Sequence, residues 1–280
     1  MAAESARSAV AFFDVDGTLV WHDFAKMRRD EKFTVDAMAQ LRPTPAVYDA
    51  FARMRAAGHL TFICTGRHLP FIPQTLRDLN PDGFIAGAGA YVCVGDATVR
   101  DEHIEKGLLL EIARHFEEAG LDVTLESDTK NVELLPRGGT PRFEGSDLAR
   151  TAADVAEISR TRGFCKFCTK GLTLDDLAPM RAFLDEHFTI CDLQGGVLEF
   201  SLLGVDKGTG IAAALAYLGH GRENTFAFGD SENDLPMAGA VETFVAMGNA
   251  LPNVRERAGY VTDSAAQDGV VTGLEHFGLI

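Results

Sequence analysis

The chain has 280 residues, of which 46% are hydrophobic and 24% are charged, a composition typical of a globular protein with a substantial core. Its formal net charge of −15 argues against a general nucleic-acid-binding protein, because contacts to phosphates require clustered Lys and Arg. No run approaches the roughly 20 apolar residues of a membrane span, and the opening MAAESARSAV has no separate apolar segment typical of a secretory signal.

The first predicted element is a buried strand, Val10 to Phe13, which ends in the carboxylates of Asp14 and Asp16. Side chains alternate along a strand, so the two carboxylates start on the same face, where like charges repel unless a cation lies between them. The spacing therefore predicts a divalent-cation site. A helix-capping Asp and a turn Asp before Gly17 would give the same pattern without any site.

Two later segments repeat this order of apolar strand, small or acidic turn and helix. HLTFICTGR follows the amphipathic helix TPAVYDAFARMRAAG, and NTFAFGDSENDLPMAGA follows the Ala-rich helix KGTGIAAALAYLG, with TFVAMGN and GYVTDS as further strands. Apolar strands that alternate with helices predict a parallel sheet covered on both faces. Ligands of such sheets bind beyond the carboxyl ends of the strands. The polar residues predicted there are Asp14, Asp16, Thr65, Asp230 and Asp234.

The middle of the chain has a different pattern. DVTLESD and NVELLP predict a hairpin, and GSDLARTAADVAEISR predicts a helix. The strand GFCKFCT, the helix TLDDLAPMRAFLDEHF and a strand pair, TICDLQ and VLEFSLL, around Gly195 and Gly196 follow. Hairpins mixed with helices predict an α+β insert, which we place at residues 87–196 between two core segments, 1–86 and 197–280.

Five cysteines lie in apolar runs such as LTFICTG and AYVCVG. An odd number in such surroundings predicts reduced core thiols in a cytoplasmic protein. Cys165 and Cys168 have the spacing of a zinc half-site or a redox pair. Because GFCKFCT alternates as a strand does, we expect the two side chains on opposite faces and interpret them as structural.

The acidic residues suit phosphoryl transfer. Asp14 is ionised at neutral pH without an activating base, and its attack on a phosphate monoester would give an aspartyl phosphate. Asp16 could protonate the leaving oxygen and then deprotonate the attacking water. Asp14 and Asp230, with a main-chain carbonyl near Asp16, offer oxygen ligands suited to Mg²⁺. Asp234, one helical turn after Asp230, could hold a metal-bound water.

Neutral and basic groups could bind the phosphate. Thr18 and Thr65, with the N–H groups of their turns, could surround it, and Lys207 could supply a charge for the phosphate and for Asp14. Each residue also has a simpler explanation: an ordinary turn at CTGR, a helix cap at Asp230, or a solvated surface lysine at Lys207. The combination favours a site, because four separate segments supply suitable groups at strand ends.

The sequence resembles the haloacid dehalogenase superfamily of phosphatases, in particular the Cof-type subfamily with a large C2-type cap inserted between core motifs two and three. The matching motifs are DVDGTL from Asp14, TGR from Thr65, KG from Lys207, GDSENDLPM from Gly229 and AMGNA from Ala246. DGVVTGL near the end fits the closing pattern of the family. The resemblance covers the two core segments and implies an α/β fold, a Rossmann-like parallel-sheet core with an inserted α+β cap domain.

The resemblance also implies a Mg²⁺-dependent phosphatase that hydrolyses a small phosphorylated metabolite, such as a sugar phosphate, a nucleotide or a cofactor phosphate. Asp14 would be the nucleophile and a metal ligand, and Asp16 the acid and base, with its carbonyl on the metal. The implied site residues are, for catalysis, Asp14, Asp16 and Lys207; for substrate binding, Thr18, Thr65, Gly66, Lys207 and Asn233; and for Mg²⁺, Asp14, Asp16, Asp230 and Asp234.

Two alternatives stay open: a sugar phosphomutase, which would return the phosphoryl group to its substrate, and a non-catalytic phosphate-binding or phospho-acceptor protein. The CTGR motif favours hydrolysis. Asp16 argues against a mere acceptor, which needs no acid for a leaving group.

Substrate choice is expected to lie in the insert, because the core residues hold only phosphate and metal. Its candidate contacts are the cationic residues Lys130, Arg137, Arg142, Lys166 and Lys170. The family usually has an Asn-Gly-Ala step where the chain leaves the core, and here Ala88 stands in place of the Asn. The missing amide removes a hydrogen bond that could reach the substrate or the hinge.

Overall fold

The computed structural model describes residues 8–21, 42–143, 145–193 and 196–280. Residues 1–7 and 22–41 of the predicted core segment 1–86, and Gly195 in the predicted strand pair, lie outside the described residues. Within the described ranges, no helix combines the length and apolar character needed to cross a membrane.

The described residues form strands and helices in alternation. The strands are β1 (Val10–Phe13), β2 (Leu60–Cys64), β3 (Gly83–Ala86), β4 (Tyr91–Val94), β5 (Ala97–Asp101), β6 (Val123–Ser127), β7 (Val132–Leu134), β8 (Asp147–Ala149), β9 (Phe164–Lys170), β10 (Phe188–Asp192), β11 (Val197–Leu202), β12 (Thr225–Gly229), β13 (Thr243–Ala246) and β14 (Tyr260–Val261). The α-helices are α1 (Pro45–Ala56), α2 (Gln74–Arg77), α3 (Lys106–Ala119), α4 (Ala152–Ile158), α5 (Arg181–His187), α6 (Lys207–Leu218), α7 (Leu235–Ala240), α8 (Pro252–Arg257) and α9 (Gly269–His276). Short 3-10 helices occur at Leu69–Phe71, Gly87–Gly89, Ser159–Thr161, Ala178–Met180, Glu232–Asp234 and Ala265–Gln267.

The first sheet contains eight strands in the order β14-β13-β12-β1-β2-β3-β4-β5. Neighbours from β14 to β3 are parallel, and β4 and β5 extend the sheet with antiparallel pairs. Phe13 of β1 packs against Phe51 of α1, whereas Phe12 belongs to a second apolar cluster that includes Ile211 of α6. Helices therefore cover both faces, which confirms the predicted parallel-sheet core.

The second sheet contains six strands in the order β10-β11-β9-β6-β7-β8. The predicted hairpin is the antiparallel pair β6 and β7, and the predicted strand pair is β10 and β11. The predicted insert of 87–196 includes β4 and β5, which belong to the first sheet, and omits β11, which belongs to the second. We therefore propose that the insert runs from the end of β5 to the start of α6.

Two predicted helices of the insert are shorter in the structure. GSDLARTAADVAEISR begins as β8, which pairs with β7, and becomes helical after Thr151, whose side chain forms a capping box with Asp154. TLDDLAPMRAFLDEHF forms a 3-10 helix at Ala178–Met180 before α5. Met180, the residue before α5, has φ −114° and ψ 7°, outside the α-helical range, so the α-helix begins only at Arg181.

Candidate active site

Asp14 lies directly after the central strand β1, whose four residues are all buried. Its main-chain N–H donates a hydrogen bond to the carbonyl of Phe228 at 3.0 Å, which fixes the end of β1 against β12. Its side chain is buried. Burial and the nearby charge of Asp234 raise the pKa of Asp14 to about 7, although Lys207 acts in the opposite direction, so the expected full ionisation of Asp14 at neutral pH does not hold for the metal-free site.

Three predicted metal ligands come together at this edge of the sheet. One carboxylate oxygen from each of Asp14, Asp230 and Asp234 lies within 4.8 Å of the others. Burial and the two neighbouring carboxylates raise the pKa of Asp230 to about 9. The hydroxyl of Thr18, predicted to bind phosphate, donates to Asp230 Oδ1 at 3.2 Å. A Cβ on Gly17 would lie 2.3 Å from Asp230 Oδ2, so this turn requires glycine.

Lys207 is the cation of this cluster. It occupies the first turn of α6, which begins after the capping residue Asp206, and its side chain is 1% exposed. Its Nζ lies 2.6 Å from Asp14 Oδ1 and 2.6 Å from Asp234 Oδ1. Burial opposes the charge, but the two carboxylates outweigh it and raise the pKa of Lys207 well above its ordinary value. Lys207 is thus not a solvated surface lysine.

Asp234 also shapes the loop after β12. Its Oδ2 accepts hydrogen bonds from the main-chain N–H groups of Asp230 at 2.9 Å and Ser231 at 3.0 Å. Its neighbour Asn233, predicted to bind substrate, lies 3.5 Å from Lys207 Nζ through its side-chain oxygen. Asp234 therefore positions both the loop and the ammonium group.

Asp16 lies outside the three-carboxylate cluster. Its carboxylate is partly exposed and forms a bidentate pair with Arg67, at 3.1 Å from Nε and 2.6 Å from Nη2. The predicted site residues did not include Arg67, although it is the last residue of the TGR motif. Its place in the same loop as Thr65 was the available signal.

The loop after β2 contains the predicted phosphate-binding residues Thr65 and Gly66. The Thr65 hydroxyl accepts a hydrogen bond from the N–H of Arg67 at 3.1 Å, and the main-chain carbonyl of Thr65 accepts one from the N–H of Ala88 at 3.0 Å. Ala88 has a φ of 56°, a left-handed conformation that Asn tolerates better than Ala. A Cβ on Gly66 would lie 3.2 Å from Glu199 Oε2, so the second sheet covers this loop.

Asn249 is a further site residue that the sequence predictions did not assign, although it belongs to the AMGNA motif. Its side-chain N–H group donates to the Gly17 carbonyl at 2.8 Å and lies 3.4 Å from Asp230 Oδ2. Its side-chain oxygen accepts from the N–H of Ala265 at 2.8 Å. Asn249 thus connects the turn after β1 to the metal-ligand candidate Asp230.

The five cationic candidates of the insert have different environments. Lys166 is buried, and its Nζ would lie 3.9 Å from a Cβ on Gly66. Elsewhere in the insert, Lys130 pairs with Asp147, Arg142 pairs with Asp122 and donates to the carbonyl of Lys170, and Arg137 donates to the carbonyl of Ala119. Lys166 is therefore the candidate that the structure places beside the loop of Thr65 and Gly66, which is predicted to bind phosphate.

The carboxylate cluster fits a divalent cation. Its candidate ligands are all oxygen atoms, as Mg²⁺ prefers, and two of the three buried carboxylates, those of Asp14 and Asp234, share one ammonium group. Burial and the neighbouring carboxylates raise the pKa values of Asp14 and Asp230, and a bound cation would favour the charged forms of both groups.

Several known proteins are similar to this chain. The model of the family described as haloacid dehalogenase-like hydrolase matches residues 11–274. The pyridoxal phosphate phosphatase YbhA of Escherichia coli is 29% identical over 80% of this chain and 89% of its own, and the HMP-PP phosphatase of Escherichia fergusonii is 28% identical over 88% and 86%. A solved phosphatase of the same superfamily from Bacteroides thetaiotaomicron has a TM-score of 0.81 at 23% identity and covers 100% of this chain and 98% of its own.

Proposed function

This chain belongs to the haloacid dehalogenase-like hydrolases and is a phosphatase; on that basis we propose that it hydrolyses monoesters of a small phosphorylated metabolite, with Asp14 as nucleophile and Mg²⁺ as cofactor. The observation that carries the proposal is the buried Lys207, which holds Asp14 and Asp234 at 2.6 Å each. A nucleophile fixed at a strand end beside a cation can attack phosphorus without large rearrangement.

The first chemical step would form an aspartyl phosphate. An oxygen of Asp14 forms a bond to phosphorus, the bond to the leaving oxygen breaks, and Asp16 gives that oxygen a proton. Lys207 and the N–H groups after Thr65 stabilise negative charge on the transferred phosphoryl group. Arg67 donates to both oxygens of the Asp16 carboxylate, so one of these two hydrogen bonds must break before that oxygen can carry the proton.

In the second step a water molecule gives a proton to Asp16, its oxygen attacks phosphorus, and the bond to Asp14 breaks to release inorganic phosphate. Mg²⁺, held by Asp14, Asp230 and the carbonyl near Asp16, with Asp234 beside them, would neutralise the charge of the phosphate when bound. Asn233 would contribute to substrate binding near Lys207. We expect the insert to determine substrate specificity. The five cysteines are free thiols, and a cytoplasmic location stays our prediction.

The test is release of inorganic phosphate from 4-nitrophenyl phosphate in the presence of Mg²⁺. We expect Asp14→Asn to abolish turnover, whereas Asp49→Asn, a matched change at an exposed side chain of α1, retains full activity. Activity of Asp14→Asn within about tenfold of the unchanged protein would contradict a nucleophilic role. Phosphorylation of the unchanged protein without release of inorganic phosphate would indicate a phospho-acceptor. Transfer of the phosphoryl group between two positions of one sugar would indicate a mutase.

A further inference from the structure

The second sheet has one apolar and one polar face. Leu125, Phe167 and Phe200 pack into the core of the insert, and their neighbours in sequence point to the opposite side because side chains alternate along a strand. The polar residues at those neighbouring positions are Thr124 and Glu126 on β6, Lys166 and Cys168 on β9, and Glu199 and Ser201 on β11. This face is turned toward the first sheet.

The polar face lies against the phosphate-binding loop. A Cβ on Gly66 would lie 3.2 Å from Glu199 Oε2 and 3.9 Å from Lys166 Nζ. Lys166 and Glu199 are each 4% exposed, although both carry charged groups. A leaving group attached to a phosphate at Thr65 would meet this face as it extends away from the core.

One ammonium group on this face is shared by two carboxylates. Lys166 Nζ lies 3.0 Å from Glu126 Oε1 and also bonds Glu199 Oε2, a set that we name the Glu126–Lys166–Glu199 cluster. Its formal charge is −1. Lys166 is thus already paired and not free for a second anion, whereas each carboxylate retains sites that can accept further hydrogen bonds.

His68 supplies an independent observation close to β9, because a Cβ on Gly87 would lie 3.5 Å from His68 Cδ2 and 3.2 Å from Cys165 Sγ. His68 follows the phosphate-binding loop, is 4% exposed, and its Nδ1 is buried without a hydrogen-bond partner among the described residues. Buried polar atoms are almost always hydrogen-bonded, so an unpartnered one at this junction indicates a place for a polar ligand group.

Resting on the proposed phosphatase function, we infer that the Glu126–Lys166–Glu199 cluster and His68 bind the leaving group, and that they select groups rich in hydroxyl or amine donors without a second anion. The carboxylates accept hydrogen bonds from such donors. A second phosphate or carboxylate would be buried beside a cluster of net negative charge whose cation is already paired, which is strongly unfavourable.

The unchanged protein with Mg²⁺ provides the first test. We compare kcat/KM for a hexose 6-phosphate and a hexose 1,6-bisphosphate, with 4-nitrophenyl phosphate as a reference whose leaving group carries no donor. We expect the monophosphate to be preferred by roughly tenfold to hundredfold, the range for hydrogen bonds to charged groups. Equal values, or preference for the bisphosphate, would overturn the inference. Failure to hydrolyse all three would count against the proposed function instead.

Two variants localise the effect. Glu126→Gln and Glu199→Gln each remove one carboxylate charge at nearly constant size, and we expect each to reduce the preference for the monophosphate by roughly tenfold. Glu157→Gln makes the same change at an exposed ion pair with Arg160 and should leave the preference within about twofold. If Glu126→Gln or Glu199→Gln folds and keeps the full preference for the monophosphate, the assignment is wrong. The comparison of substrates with the unchanged protein does not depend on the stability of any variant.

Discussion

Replacement of Lys207 by Met should strongly destabilise the folded protein. Met has a similar length and fits a buried position, so the change removes the ammonium group and little volume. In the structure this group lies 2.6 Å from both Asp14 Oδ1 and Asp234 Oδ1. Its loss leaves two buried carboxylates without their shared partner.

The expected magnitude follows from these distances. At an effective dielectric constant of about 20, unit charges separated by 2.6 Å attract by about 6 kcal/mol. The cost of burying the ammonium group offsets much of this attraction, and removal of one partner from a buried pair destabilises proteins by about 3–5 kcal/mol. We expect a decrease of that size in the free energy of unfolding of the metal-free protein.

The assay is urea denaturation followed by far-ultraviolet circular dichroism in the presence of a chelator. Lys130→Met is the matched control, because Lys130 pairs with Asp147 at a site where both side chains are partly exposed. We expect the control to lose less than about 1 kcal/mol, and the double variant Lys207→Met with Asp14→Asn to be more stable than Lys207→Met alone. If Lys207→Met is no less stable than the control, the electrostatic interpretation is wrong.

Three further predictions test the chemistry and the junction between the sheets. Asp16→Asn should slow hydrolysis of esters with poor leaving groups by roughly 10²–10⁴-fold and that of aryl phosphates less, and an equal loss for both, with phosphorylation rate-limiting, would contradict an acid role. Chelation should abolish phosphate release from 4-nitrophenyl phosphate and added Mg²⁺ should restore it, so full activity after exhaustive chelation would exclude the metal. Burial lowers the pKa of His68 from 6.5. As the pH drops below about 6.5, the unfolded chain therefore binds a proton at His68 before the folded protein does. The free energy of unfolding then falls by at most about 1.4 kcal/mol per pH unit. His68→Asn should reduce this slope in urea denaturation at several pH values, and an unchanged slope would show that His68 does not cause it.

The sequence was sufficient to predict where the candidate site residues gather. Asp14, Thr65 and Asp230 each follow an apolar strand, and parallel strands bring their carboxyl ends to one edge of a sheet. The pairing of Asp16 with Arg67 was not predicted, because it depends on how two loops from different strands face each other. Asn249 belongs to the AMGNA motif, but its contact with Gly17 depends on how the loops after β1 and β13 pack against each other, which the sequence pattern does not specify.

The insert was predicted less completely, for a physical reason. A hairpin such as β4 and β5 has the same local pattern whether it extends an existing sheet or begins a new one, so the boundary at residue 87 could not be tested by periodicity. The polar face of the second sheet is built from three strands. Its cationic member, Lys166, was among the candidates, but its partners Glu126 and Glu199 become recognisable only once β6, β9 and β11 are aligned.

The place of β1 in the sheet has a consequence for synthesis of the chain. Thr18 and Asp230 share a hydrogen bond although 212 positions separate them, and β1 also pairs with β12 along its whole length. At about 5–20 residues per second, a ribosome would leave β1 without this neighbour for about 10–40 s. During that interval one side of β1 is an unpaired strand edge, which can pair with other chains. Nascent molecules would therefore expose this edge of β1, the strand that leads to the proposed nucleophile Asp14, until β12 has left the ribosome.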